Sequence, residues 1–307
     1  MGRSRKGDPV HGWIVLDKPI GLTSAQAVAR VRRIFNAAKA GHGGTLDPLA
    51  TGVLPIALGE ATKTVAFEMD RTKTYRFTLR WGEARSTDDA QGKITATSPN
   101  RPSEAEIQSV LSRFTGDIQQ TPPRFSAIKV EGRRAYAMAR GDEEFELSPR
   151  PILIEKLAVV NVAGDLASFE VACGKGAYMR SLARDLGLAL GTYAHVVELR
   201  RLSAGPFVES QAISLDSLET LGHSAAALAT LLPIETALDG IPALALSEGE
   251  ARTLRSGQSV PLFRAVDVNR IGGLVPGIAV CAMANGKPVA VARFDQGKLH
   301  PVRVFNL

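Results

Sequence analysis

A chain of 307 residues, 45% of them hydrophobic, is long enough for one large domain and a small one. No run approaches the roughly 18 continuous apolar residues of a membrane span, the basic N-terminus lacks the apolar stretch of an export signal, and Cys173 and Cys281 have no ligand spacing around them that would suggest a disulfide framework or a zinc site. The protein therefore reads as cytoplasmic, and its net charge of +6 suits a polyanionic partner without requiring one.

In chain order, Gly12 to Asp17 reads as a strand, followed by the turn Lys18-Pro19-Ile20-Gly21 and a helix from about Ser24 to Phe35 that Thr23 or Ser24 can cap. Ala25, Val28, Ala29, Val31 and Ile34 give that helix an apolar face, while Arg30, Arg32, Arg33 and Lys39 crowd the other side and its exit. The glycine-rich loop from Ala40 to Gly52 comes next, then a strand over Val53 to Leu58 and a short helix predicted around Glu60 to Met69. Tyr75 to Trp81 alternates as a strand, Glu83 to Gly92 is turn-rich, and Ser103 and Glu106 are spaced as a capping box for a helix reaching Phe114.

A second basic cluster follows, with Arg124, Lys129, Arg133, Arg134 and Arg140 behind the Pro122-Pro123 pair. Strands are expected at Ile152 to Val162 and Ser168 to Cys173, and a helix from Tyr178 to Leu190 after the flexible Gly174 to Gly176. Strands and helices without regular βαβ repetition argue an α+β fold with a mixed or antiparallel sheet. Prolines at 233 and 242 precede a change to short apolar runs, with strands predicted at Ile278 to Met283, Lys287 to Phe294 and Val302 to Phe305. The natural division is a catalytic domain over 1–240 and a small β-rich domain over 241–307.

Asp47 lies in the glycine-rich loop directly before Pro48, which biases it toward an extended or turn conformation from which a carboxylate can face a cleft. Alone, Asp-Pro is a commonplace turn. The whole string GHGGTLDPLATGVLPIALGEATK, Gly41 to Lys63, resembles the catalytic segment of the TruB-family pseudouridine synthases, with the Asp in the same place. Further matching blocks follow in the same order: LDKPIGLTS from Leu16, KTYRF from Lys73, SAIKVEGRRAY from Ser126, CGKGAYMRSLARDLG from Cys173 and AHVVELRRLSAGPF from Ala194. The resemblance covers nearly the first 210 residues. One departure is Gly43, where many relatives carry a larger residue.

The resemblance implies isomerisation of a uridine in the T loop of tRNA, position 55, in which the glycosidic bond breaks, the uracil turns, and C5 is joined to the ribose. No cofactor or metal is implied. Asp47 would act as the ionised carboxylate, adding to the uracil ring or assisting cleavage at the sugar. A desolvated carboxylate tends to take up a proton unless a cation holds it ionised, and Arg180, which matches the family's active-site arginine, is the candidate. Tyr75 matches the active-site tyrosine, whose ring can lie against the base, although by itself it reads as a strand aromatic. Tyr178 and Leu199 match pocket-wall positions that would otherwise read as core.

His42 invites an acid–base dyad with Asp47, but the resemblance suggests that its ring enters the stack vacated by a flipped uridine. Lys18, Lys63 and Lys129 sit within matching blocks and fit phosphate positioning better than catalysis, with solvated charge as the plain alternative. GHGG is not a dinucleotide fingerprint, because Leu46 occupies the third-glycine position. The tail resembles a PUA RNA-binding module only through the family's architecture. Partners reduce to the T arm of tRNA, with no membrane, no obligatory protein partner and a monomer expected. Two other readings stay open at this point: an RNA chaperone that needs no isomerisation, and a nucleoside hydrolase or glycosylase that would release uracil.

Overall fold

The computed structural model describes residues 7–130, 132–141, 143–263 and 271–307. The first half opens with β1 (Gly12–Lys18), α1 (Ser24–Ile34), β2 (Ala40–His42), β3 (Thr51–Leu58), α2 (Val65–Met69) and β4 (Lys73–Trp81). After these come the short β5 (Glu83–Arg85) and β6 (Ile94–Thr97), α3 (Glu104–Val110), β7 (Gly116–Gln120), β8 (Lys129–Val130), β9 (Arg133–Arg134) and α4 (Ala135–Arg140). The long strands β10 (Arg150–Ala163) and β11 (Leu166–Cys173) lead into α5 (Met179–Ala189), β12 (Ala194–Ala204), β13 (Phe207–Val208) and β14 (Ile213–Ser214).

These strands build a ten-stranded mixed sheet in the order β14-β1-β3-β12-β4-β11-β10-β7, with β2 paired to β3 and β13 to β12. β12 runs parallel to β3 and antiparallel to β4, so it joins the two halves of the sheet. Strand alternation explains why β1 and β3 look apolar throughout. Ile14, Leu16, Leu54, Ile56 and Leu58 face one core with α1 and α5, whereas Trp13, Val15, Val53 and Ala57 face a second core on the other side.

That second core is shared with the C-terminal part of the chain. A five-stranded sheet is formed by β15 (Ala243–Ala245), β16 (Val260–Pro261), β17 (Ala279–Ala284), β18 (Lys287–Asp295) and β19 (Lys298–Val304), in the order β15-β17-β18-β19-β16. It has its own core, with Leu254, Val280, Ala290 and Leu299, and it sends Cys281, Val291 and Phe305 against Trp13, Val53 and Phe207 of the large sheet. The fold is α+β, with a mixed sheet and a separate β-rich C-terminal sheet.

Several local expectations changed. The helix predicted around Glu60 to Met69 is a 3₁₀ turn, Gly59–Lys63, followed by α2. The hydroxyls of Thr62 and Thr64 donate back to the carbonyls of Gly59 and Ala61, at 2.7 and 2.8 Å, and tighten the chain before a regular helix can form. The last strand begins at Lys298, four residues before the predicted start. Above all, β12 was not predicted: Glu198, Arg200 and Arg201 interrupt its apolar pattern, yet it lies at the centre of the sheet.

Candidate active site

β2 and β3 form a hairpin whose loop, residues 43–50, carries Asp47. Several polar backbone groups of that loop are fastened to neighbours outside it or across its turn. Gly43 donates its N–H to the Pro55 carbonyl at 2.9 Å, and the Gly44 carbonyl accepts from Arg201 at 3.2 Å. The Ser24 hydroxyl bridges both backbone groups of Leu46, accepting from its N–H at 2.8 Å and donating to its carbonyl at 3.0 Å. The Asp47 carbonyl accepts from Ala50 at 3.0 Å in a turn with Pro48 at its second position, and Gly21 donates to the Pro48 carbonyl at 2.8 Å. Bonds on both sides of Asp47, at residues 43, 44, 46, 48 and 50, hold its carboxylate on a braced mount.

The carboxylate meets Arg180 in the first turn of α5. Nε donates to Oδ2 at 2.8 Å and Nη2 to Oδ1 at 3.1 Å, a paired geometry that matches the planar guanidinium to the planar carboxylate. Arg180 is 4% exposed, whereas the Asp47 side chain keeps 34% of its surface open. The cation therefore stands behind the carboxylate and leaves its front free. Arg180 is fixed in turn by the carbonyls of Thr87 and Phe125, at 3.1 and 3.0 Å, and lies 3.8 Å from the buried carboxylate of Asp89.

Tyr178, the N-cap of α5, is clamped by the buried side chain of Gln120, which accepts from its N–H at 2.8 Å and donates to its carbonyl at 3.1 Å. The clamp sets the start of the helix and thereby the direction of Arg180. Burial, and after it the nearby Asp47, push the Tyr178 phenol upward, so it stays a protonated donor. Tyr75 on β4 pairs with Arg201 on β12, and two residues along Phe77 pairs with Leu199. Phe77 and Leu199 belong to the core that α5 covers, and Tyr75 packs against it. The buried Arg201 guanidinium lies 6.0 Å from the centre of the half-buried Tyr75 ring, and burial raises the Tyr75 phenol as well.

His42 ends β2. Its Nδ1 accepts from the Gly44 N–H at 3.3 Å, and burial, followed by the charge of Arg201, lowers its pKa, so the ring is neutral at physiological pH. Among the described residues no hydrogen bond or ion pair joins His42 to Asp47, and the geometry offers no dyad.

The three lysines diverge. Lys18 was expected to meet phosphate, but it has no exposed surface. Its ammonium donates to the carbonyls of Pro19 and Leu22 at 2.8 and 2.7 Å, and burial brings its pKa down to about 8. It braces the turn whose Gly21 holds Pro48, which corrects the phosphate assignment. Lys63 donates to Glu60 at 2.5 Å and to the Val304 carbonyl at 2.7 Å, tying the large sheet to β19. Lys129 is exposed on the β8–β9 hairpin. In the same cluster Arg133 is already paired with Glu143 at 2.6 Å, and Arg134 donates to the Ala127 carbonyl at 2.6 Å.

Residues 32–179 match the model of the TruB family pseudouridylate synthase N-terminal domain, and residues 180–239 match that of the tRNA pseudouridylate synthase B C-terminal domain. The chain belongs to the TruB family of pseudouridylate synthases. The tRNA pseudouridine synthase B of Rhodospirillum rubrum is 54% identical to it with 100% of both chains covered, and that of Caulobacter vibrioides 51%, again over 100% of each. Among solved structures, a Cbf5-Nop10-Gar1 complex aligns with 96% of this chain and 84% of its own at a TM-score of 0.71 and 29% identity. An archaeal box H/ACA sRNP Nop10-Cbf5 complex aligns with 100% and 93%, at 0.73 and 25%. This TruB-family chain is thus a pseudouridine synthase with the family's α+β architecture.

Reasoning from sequence missed Asp89, Arg201, Gln120 and the bracing role of Ser24. Ser24 and Arg201 lie inside matched blocks, where a buried role had a signal. Asp89 lies in a segment read only as turn-rich, and Gln120 lay between assigned elements without any signal.

Proposed function

We propose that the chain converts uridine to pseudouridine at position 55, in the T loop of tRNA, with Asp47 as its catalytic carboxylate. The observation that carries this reading is the paired Asp47–Arg180 bond, with the guanidinium buried and the carboxylate open in front. Substrate and product are isomers. The reaction therefore balances without a redox partner, and its needs are a flipped base, a carboxylate that can attack the ring or assist departure at the sugar, and a wall that keeps the uracil in place while it turns.

Tyr75 and Leu199 supply that wall from adjacent strands, Tyr178 adds a protonated phenol from the start of α5, and His42 presents a neutral ring at the loop's edge. A neutral ring suits stacking in the vacated place within the RNA, because it fills the gap without needing to exchange a proton. Lys129 would meet phosphate in this reading, which its exposure on the hairpin supports. The chain's place of work in this reading is the cytoplasm, with residues 1–240 as catalytic domain and 241–307 as a PUA-like RNA-binding domain, acting as a monomer on the T arm.

The deciding experiment incubates the purified protein with unmodified tRNA and maps pseudouridine at single-nucleotide resolution. Modification at the T-loop uridine by the wild type, and none by Asp47→Asn, supports the reading. Release of free uracil would replace it with a hydrolase, and bound but unmodified tRNA with a chaperone.

A further inference from the structure

Glu68, near the end of α2, has no exposed surface, yet neither oxygen of its carboxyl has a hydrogen-bond partner among the described residues. The cations around it donate elsewhere. Lys73 on β4 donates to the carbonyls of Glu68, Met69 and Arg71, Arg201 on β12 to those of Val53 and Gly44, and Arg71 in the intervening turn to that of Asp239. A buried acceptor without a donor is unfavourable, so its presence calls for a reason.

The reason lies in what the side chain touches. A Cβ added to Gly43 would stand 2.5 Å from Glu68 Cγ, and one added to Gly205 would stand 2.6 Å from Oε2. Gly205 has a φ of +51° and needs glycine for its backbone alone, whereas Gly43 has no left-handed φ. The backbone at 43 would therefore accept a side chain, and Glu68 is what occupies the space. Gly43 is bonded to Pro55 on one side and followed by Gly44, which is held by His42 and Arg201. A shift at 43 passes directly into the mount of Asp47.

We propose that Glu68 is a positioning residue whose side chain wedges against Gly43 and sets the place of residues 42–44 at the foot of the Asp47 loop. This deepens, and rests on, the reading of the loop as the catalytic one. The wedge works by volume. Burial pushes the carboxyl up to about 7, against the pull of Lys73, Arg201 and Arg71, so a substantial fraction is neutral near physiological pH, and Gln should serve nearly as well.

The test is a double-mutant cycle on the full-length protein with Gly43→Ala, Glu68→Ala and the pair, and with Glu68→Gln as the conservative variant. Single-turnover pseudouridine formation at saturating tRNA, tRNA affinity and melting temperature are read for each. Gly43→Ala alone is expected to slow the reaction by about 10-fold or more with affinity within about threefold, because a loop displaced by a fraction of an ångström misplaces the carboxylate. The double variant should be faster than Gly43→Ala, since the second truncation makes room for the added methyl, and Glu68→Gln should stay within about threefold of wild type.

Independent, multiplicative losses in the double variant, a wild-type rate for Gly43→Ala, or melting shifts unaccompanied by any change in rate would overturn the proposal. A wild-type protein that forms no pseudouridine would overturn the functional reading and the catalytic role of the wedge together. Additive melting shifts in an active enzyme would overturn the wedge alone.

Discussion

Asp47 sits on the tip of a hairpin loop and Arg180 in the first turn of a helix 133 residues later, and two hydrogen bonds of 2.8 and 3.1 Å join them. Arg180→Lys keeps the charge but replaces a rigid fork by a single mobile ammonium. The expected result is a fall on the order of 10²-fold in single-turnover rate with tRNA affinity little changed. Equal rates for Arg and Lys would mean that charge alone suffices.

Asp89 is the second carboxylate beside Arg180, 3.8 Å away, and its own Oδ1 accepts from Thr87 at 2.5 Å and from the Gln91 N–H at 3.0 Å. Asp89→Asn should let the guanidinium drift and slow the reaction by about tenfold, with a lower melting temperature from the disturbed turn. Rates indistinguishable from wild type would show that Thr87 and Phe125 hold Arg180 without it.

His42 separates two roles by two substitutions. A stacking ring predicts that His42→Phe retains more activity than His42→Ala, with a small loss for the missing bond from the Gly44 N–H. A proton-transfer role predicts a loss on the order of 10²-fold or more for both. Single-turnover kinetics at saturating tRNA distinguish them, after melts establish that each variant folds.

For the lysines, Lys129→Ala should weaken tRNA binding and flatten its dependence on salt by about one phosphate contact. Lys18→Met should leave the salt slope unchanged and instead lower the melting temperature, because the carbonyls of Pro19 and Leu22 lose their donor in a buried place. A reduced salt slope in Lys18→Met would contradict the burial.

Glu68 makes stability pH-dependent. Its carboxyl goes from an ordinary value of 4.5 to about 7 in the folded protein, so the folded state favours the protonated form. Its contribution is fully present below pH 4.5 and is lost as the pH rises through about 7. Gln cannot ionise, so Glu68→Gln should gain stability relative to wild type as the pH rises across that window, by at most about 3 kcal/mol at about 1.4 kcal/mol per unit. Denaturant unfolding at pH 5 and pH 8 measures it, and a gap that narrows toward pH 8 would falsify the assignment.

The sequence by itself determined the elements whose signals are local. Thr23 and Gln26 close a capping box on α1, Ser103 and Glu106 another on α3, and the ordered blocks around Asp47 and Arg180 identified the family. It also supplied the apolar runs of β1 and β3, but not that both faces are buried, because a run without alternation does not say what covers it. Tertiary structure decided what depends on residues far apart in the chain. β12 is central despite three charges, because Arg201 finds carbonyl acceptors on Val53 and Gly44. Lys18 reads as a surface cation until the turn around it closes, and Gly43 as a flexible link until Glu68 fills the space beside it. Removing the chain beyond residue 240 would uncover Trp13, Val53 and Phe207, so the two sheets form one energetic unit whatever their separate roles on RNA. Hydrogen-bond partners and buried volume are properties of the packed chain, and pattern along the sequence carries no record of them until distant segments meet.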